Sequence, residues 1–216
     1  MSLLARVPLT IRHGIVIPEI RGITELDADG WDKLRASDTS FGFAAEEQQR
    51  TVIPRARAER VAEIAAEIGA KRLCSYGAGT GILERDLVEL GCDVTATEFA
   101  PESVAGLNRV LPTVVQHDLR DGPLTGFDLH VLHRVDCELS NREWRRYFSL
   151  MTEPHLIVWS QFIGWTNLRR ELSLQVKRQG VRAGWFRTEA RVRMLVPGRK
   201  VDVFDLTGFL VTPSTP

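Results

Sequence analysis

The sequence predicts an α/β fold, a doubly wound, seven-stranded, mostly parallel sheet with a C-terminal antiparallel hairpin and an N-terminal extension. Three observations carry this expectation. From residue 55 onward, short β-rich runs alternate with helical periods. The first of those runs ends in Gly77-Ala78-Gly79-Thr80-Gly81, and the chain closes on two alternating apolar runs around Pro197-Gly198-Arg199. Strands separated by helices pair in parallel through right-handed crossovers, which yields an open sheet with helices on both faces.

Each element has its own signature. In the extension, residues 1–54, Thr10–Glu19 has strand composition, Asp27–Arg35 a short helical period, and Phe41-Gly42-Phe43 precedes a helical run to about Val52. A helix is predicted over Arg55–Ile68, where Val61, Ile64, Ala65 and Ile68 share a face, Pro54 suits the start and Gly69 the end. Strands are predicted at Arg72–Tyr76, Asp93–Glu98, Thr113–His117, Phe127–His133 and His155–Phe162. After the glycines, Ile82, Leu83, Leu87 and Leu90 lie on one side of a helix that stops at Gly91, and another helix begins at Pro101. Ser140-Asn141-Arg142-Glu143 is a capping box that starts the helix before the fifth strand, its hydroxyl and carboxylate each satisfying a free backbone N–H. A further helix is expected from about Asn167 to Gln179. Trp185–Val196 and Lys200–Val211 then read as two strands joined by a hairpin turn at Pro197-Gly198-Arg199.

The glycine turn is the main functional signal. Without a Cβ, Gly77, Gly79 and Gly81 let the chain take positive φ and bring main-chain N–H groups against a ligand at the positive end of the next helix. Glu98 ends the second strand, where a carboxylate accepts hydrogen bonds from both hydroxyls of a ribose. A dinucleotide fingerprint needs a third glycine where Ile82 stands. The pattern G-x-G-T-G with an acid closing the second strand instead resembles the S-adenosylmethionine (SAM) site of the class I methyltransferases, and the similarity covers roughly residues 60–212. That family has an antiparallel strand ending a parallel sheet, in agreement with the C-terminal hairpin.

The resemblance implies SAM as cofactor and S-adenosylhomocysteine as product. It assigns the loop residues Gly77, Ala78, Gly79 and Gly81, with Ser75 beneath them, to the cofactor. Glu98 and Phe99 follow on the ribose side, and Asp118 and Leu119, at the end of the third strand, on the adenine side; the Asp118 carboxylate alternatively caps the next turn. The family commonly has Asp or Glu at the position of Ser75, helping to hold the amino acid end of the cofactor. Here a hydroxyl stands there, and Asp136 and Glu138 after the fourth strand are candidate replacements.

A sulfonium methyl is already activated, so its transfer is an in-line displacement in which the protein aligns the partners and excludes water. What remains is the nucleophile's proton. His133, at the end of the fourth strand, is the candidate base, an imidazole poised near neutrality by Asp136 or Glu138. The alternative is a hydrogen-bonded structural histidine. Arg134 either binds an anionic substrate group or pairs with Asp136, and Phe41, Phe43 and Trp165 are candidate substrate contacts or core anchors.

Length and composition bound the reading. A chain of 216 residues buries one substantial core, and the expected division is residues 1–54 as extension or lid and 55–216 as the SAM-binding domain. Basic and acidic residues balance at 28 each, so steering toward nucleic acid or an anionic membrane is not expected. The basic stretch from Arg169 to Lys200 reads as solvated helix and strand faces, or else meets an anionic substrate or a nucleic acid. Cys74, Cys92 and Cys137 lack C-x-x-C spacing, which fits a reduced cytoplasmic compartment, and no apolar run approaches the ~20 residues of a membrane span. No metal-ligand cluster and no G-x-S-x-G nucleophile motif occurs. Within the family it resembles, the N-P-P-Y signature of amino-group methylases of adenine and glutamine is absent and the two-glutamate hairpin of arginine methyltransferases is not recognisable, so a small-molecule O or N acceptor is the expectation. Two rivals share the fold: a SAM-binding protein of non-methyl chemistry, and a non-catalytic binding or regulatory module.

Overall fold

The computed structural model describes residues 9–12, 15–18, 27–36, 42, 47, 50, 53–135, 139, 141–153, 155–159, 189–205 and 207–213. In the extension, strands β1 (Leu9–Arg12) and β2 (Ile15–Pro18) pair antiparallel, so the expected single strand over Thr10–Glu19 is a small hairpin. Helix α1 (Ala28–Arg35) follows, capped by the Asp27 carboxylate, which accepts from the Gly30 N–H at 2.9 Å.

The main sheet holds β3 (Arg72–Tyr76), β4 (Asp93–Glu98), β5 (Val114–Gln116), β6 (Leu129–His133), β7 (His155–Trp159), β8 (Arg199–Val203) and β9 (Gly208–Pro213). Their spatial order is β5-β4-β3-β6-β7-β9-β8. The first five pair in parallel; β9 lies antiparallel between β7 and β8. The described helices around the sheet are α2 (Arg55–Glu67), α3 (Ile82–Glu89), α4 (Pro101–Leu107), α5 (Asn141–Leu150) and α6 (Glu189–Leu195).

Parallel strands covered on both faces are apolar at successive positions rather than alternate ones. In β6, Leu129 and Val131 join the cluster of Ala58, Val61 and Ile64 from α2 and Leu83 and Leu87 from α3. Leu132 points to the opposite cluster, with Trp144, Tyr147 and Phe148 of α5 and Val192 and Leu195 of α6. Each fully buried aliphatic side chain in these layers contributes roughly 1.5–3 kcal/mol. Asp128 fastens the N-terminal ends of β3 and β6, accepting from the Lys71 and Arg72 N–H groups at 2.9 and 2.8 Å.

The C-terminal region departs from expectation. Within Trp185–Val196, expected as a strand, Glu189–Leu195 is the helix α6. Val192, Leu195 and Val196 are buried at spacings of three and four while Met194 is 54% exposed, which is a helical period. Arg191 and Arg193 around Val192 imitate a strand's alternation locally, but Arg193 reaches back one turn to Glu189 at 2.7 Å. Both strands of the hairpin, β8 and β9, therefore come from the second predicted run and its immediate flanks. The chain reverses between β8 and β9, not at Pro197–Arg199, and the Gly208 N–H donates to the Asp205 carbonyl at 3.3 Å. Ser140 of the predicted capping box and the expected helix at 167–179 lie outside the described residues.

Strand order reverses between β3 and β6, which leave the sheet side by side, Tyr76 in register with Leu132. Open α/β sheets place their ligand sites in the crevice outside the carboxyl ends of the strands at such a switch point.

Candidate functional site

The glycine loop leaves β3 at that crevice. Gly77, Gly79 and Gly81 all have positive φ, at 62°, 65° and 75°. A Cβ on Gly77 would overlap Val135 Cγ1, and one on Gly81 would stand 2.8 Å from Leu107 Cδ2. The loop is thus pressed against the segment after β6 on one side and against α4 on the other. The Ala78 N–H donates to the Thr97 carbonyl at 2.9 Å, tying the loop to the end of β4.

Glu98, the last residue of β4, is 5% exposed, and its Oε2 lies 4.0 Å from the position a Gly77 Cβ would take. The predicted ribose acid therefore does sit beside the glycine loop. Phe99 follows it, with its carbonyl accepting from Gln116 Nε2 at 3.0 Å. Across the β4–β5 pair, Asp118 Oδ1 accepts from the Arg120 N–H at 2.9 Å, so this carboxylate caps the 3-10 turn Leu119–Asp121. Leu119 packs on the aromatic cluster around α5.

Ser75 carries the departure noted in the sequence, and the structure surrounds it with a different acid. Its hydroxyl donates to Glu84 Oε1 at 2.6 Å, in a fully buried pair. Glu84, in the first turn of α3, is 2% exposed, and its Oε2 has no hydrogen-bond partner among the described residues. Burial pushes the Glu84 carboxyl up to about 7; the Ser75 hydrogen bond works against this, and the charges of Glu98 and Asp86 add to it. The candidate replacements Asp136 and Glu138 lie outside the described residues, as do Phe41, Phe43 and Trp165.

His133 ends β6 and is 8% exposed. Arg57 Nη1 of α2 lies 2.8 Å from its Nε2. A guanidinium only donates, so Nε2 accepts and the ring proton resides on Nδ1. Burial first, then the charges of Arg57 and Arg134, hold its pKa well below the ordinary imidazole value. This is opposite in sign to an imidazole poised by acids. The Arg57 guanidinium also lies 5.0 Å from the Trp159 ring centroid, a cation–π placement that fixes it at the end of β7. Arg134 takes a left-handed backbone, φ 63°, while its N–H donates to the Trp159 carbonyl at 2.8 Å. A non-glycine residue there stores strain of about 1–3 kcal/mol, a feature that clusters at functional sites.

The extension reaches the same crevice. Asp32 of α1 accepts from the N–H groups of Glu102 and Ser103 at 3.1 and 2.8 Å, docking α1 on the start of α4. One turn on, Arg35 Nη2 stands 3.0 Å from the position a Gly79 Cβ would take. By contrast, described basic residues of the C-terminal third are spent locally, Arg193 on Glu189 and Lys200 on Asp202. Among the described residues no group of three His, Cys, Asp or Glu side chains is placed to hold a metal ion, and no helix is long and apolar enough to cross a membrane.

Solved structures with this arrangement are numerous. The chain superposes on human N-acetylserotonin methyltransferase in complex with SAM with a TM-score of 0.59 at 17% identity, covering 88% of this chain and 57% of that one. The chain has the class I SAM methyltransferase fold. Against magnesium protoporphyrin IX methyltransferase from Synechocystis PCC 6803 with bound S-adenosylhomocysteine the TM-score is 0.60 at 18% identity, covering 86% and 94%. Against the mitomycin 7-O-methyltransferase it is 0.53 at 20% identity, covering 84% and 59%. No family model and no curated protein matches the sequence.

Sequence reasoning on this methyltransferase fold missed Glu84, Arg57 and Arg35. Glu84 had a legible signal, an acid three residues past the last loop glycine in a chain whose usual strand acid is absent. Arg57 and Arg35 had none, because they meet the site from helices 76 and 44 positions away from the residues they face.

Proposed function

We propose that this chain is a SAM-dependent methyltransferase acting on the O or N nucleophile of a small molecule. The observation that carries the reading is the triple left-handed glycine turn pressed into the β3/β6 switch point with the Glu98 carboxylate beside it. Glycine at 77 and 81 lets the loop pack this closely against Val135 and Leu107, and the neighbouring buried carboxylates suit a cationic ligand. When bound, SAM supplies a methyl group on a sulfonium.

In this reading the loop from Gly77 to Gly81, Ala78 included, holds the cofactor through its backbone, Ser75 lies beneath, and Glu98 accepts the ribose hydroxyls. Phe99 and Leu119 flank the adenine, and Asp118 accepts its amino group at Oδ2, the oxygen that also accepts from Arg120 Nη1 at 3.3 Å. Residues 1–54 act as a lid over the domain formed by 55–216, supported by the docking of α1 on α4 and the reach of Arg35 to Gly79. Arg134, with Phe41, Phe43 and Trp165, meets the acceptor. His133 takes the acceptor's proton at Nε2 once Arg57 moves off it, and the depressed pKa keeps the imidazole neutral and ready at ordinary pH. The small-molecule acceptor draws support from neighbours named for N-acetylserotonin, magnesium protoporphyrin IX and mitomycin. The cysteine usage fits a reduced cytoplasmic compartment.

The test is incubation of the purified chain with SAM and a small-metabolite library, read by mass spectrometry. Formation of S-adenosylhomocysteine together with a product heavier by one methylene supports the reading. Tight SAM binding with no turnover across the library transfers the weight to a non-methyl or regulatory role.

A further inference from the structure

We infer that Glu84 is the residue that meets the ammonium of the cofactor's amino acid end, the helix α3 supplying the charge that Ser75 does not. This rests on the SAM reading above and specifies one of its contacts. The carboxylate is bound at one oxygen only, by the Ser75 hydroxyl at 2.6 Å, while Oε2 is buried and has no hydrogen-bond partner among the described residues. A buried carboxylate oxygen without a partner is costly, and natural structures satisfy nearly all of them. A ligand donor is the simplest completion of this one.

The chemistry of that donor follows from the surroundings. Glu84 is 2% exposed and feels two further carboxylates, Glu98 of β4 and Asp86 of its own helix, of which Asp86 is engaged by Arg50 and lies 3.6 Å from Arg55. A group with those neighbours favours a cation over a neutral donor and rejects an anion. The Arg35 guanidinium stands beside Gly79 of the loop. A carboxylate on the helix that follows the loop and a guanidinium beside the loop match a ligand end bearing one ammonium and one carboxylate, which is an α-amino acid. The same burial that leaves Glu84 half satisfied holds a proton on it near neutrality, so the ligand's ammonium displaces that proton when it binds.

The experiment is calorimetric titration of the full chain and of Glu84→Gln with two probes, S-adenosylhomocysteine and 5′-methylthioadenosine, the second lacking the amino acid end. The amide keeps the volume and the Ser75 hydrogen bond and removes only the charge. We expect Glu84→Gln to lose roughly ten- to hundredfold in affinity for S-adenosylhomocysteine, the range of a hydrogen bond to a charged group, with the thioadenosine affinity unchanged. Repeating the titration near pH 7 in buffers of different ionisation enthalpy should reveal proton release in the wild type and none in the variant. Equal S-adenosylhomocysteine affinity in the two proteins, or equal proton release, overturns the inference and leaves the SAM reading standing. If the wild type binds neither probe, the SAM reading itself falls, and the assignment of Glu84 with it.

Discussion

The ligand-free protein should be less stable above neutral pH because of Glu84, and Glu84→Gln should recover the difference. The carboxyl is raised from the ordinary 4.5 to about 7, mainly by burial, so between those values the folded chain holds a proton that the unfolded chain has released. Its contribution is fully present below about pH 4.5, is lost as pH rises, and is entirely lost above about pH 7. At about 1.4 kcal/mol per pH unit, ionising this group inside the fold costs about 3 kcal/mol. Gln has no charge to bury and keeps a hydrogen bond to Ser75. The variant and wild type should therefore match near pH 4, and near pH 8 the variant should melt higher by roughly 6–12 °C, at about 2–4 °C per kcal/mol for a chain of this size. Thermal or urea unfolding across that pH range, followed by circular dichroism, measures it. A variant that is no more stable than wild type near pH 8 refutes the reasoning, because the carboxylate must then already have a cationic partner in the free protein.

Three further outcomes follow from the same geometry. Glu98→Ala should weaken S-adenosylhomocysteine binding by roughly 1.5–3 kcal/mol in calorimetry, with a native circular dichroism spectrum, because a hydrogen bond to a charged group is lost at a strand end. Gly77→Ala should destabilise the fold more than Gly79→Ala in denaturant titrations; both bear a left-handed cost of about 1 kcal/mol, but the first also drives a methyl into Val135 while the second meets only the movable end of Arg35. His133→Ala should lower turnover by about 10²–10⁴-fold with unchanged cofactor affinity. Because protonation abolishes the base and the pKa lies well below 6.5, the wild-type rate should stay flat through neutrality and fall only at more acid pH; a variant with normal turnover removes His133 from the chemistry.

The fold was legible wherever local pattern and tertiary context agree. The five parallel strands sit within a few residues of their predicted bounds, since buried parallel strands are short apolar runs punctuated by turn residues. The stretch before Pro197 failed because Arg191-Val192-Arg193 alternates for three residues, too few to separate a strand from a helix whose period shows only once Leu195 and Val196 are both seen to be buried. In the site, the glycine loop and Glu98 were legible because each is a property of one strand end. The state of His133 was not. Its electrostatics come from Arg57, 76 residues earlier, and no periodicity reports a guanidinium arriving from another helix. Asp118 lay between, with both of its possible roles open and the capping bond now in place.

The charges at the crevice are divided by the same topology that creates it. Toward β4 and α3 lie Glu98 and Glu84, both buried carboxylates; toward β6 and β7 lie Arg57 and Arg134, both acting on His133. The acidic half suits the cationic cofactor proposed for the loop. An acceptor entering over β6 would meet guanidinium groups, which favour the ionised form of a hydroxyl. That lowers the demand on any base: in the proposed function, His133 of depressed pKa would accept a proton loosened by Arg134 and by Arg57 once displaced from Nε2. A neutral amine gains nothing from that field, so within the proposed function the charge division favours an oxygen nucleophile over a nitrogen one.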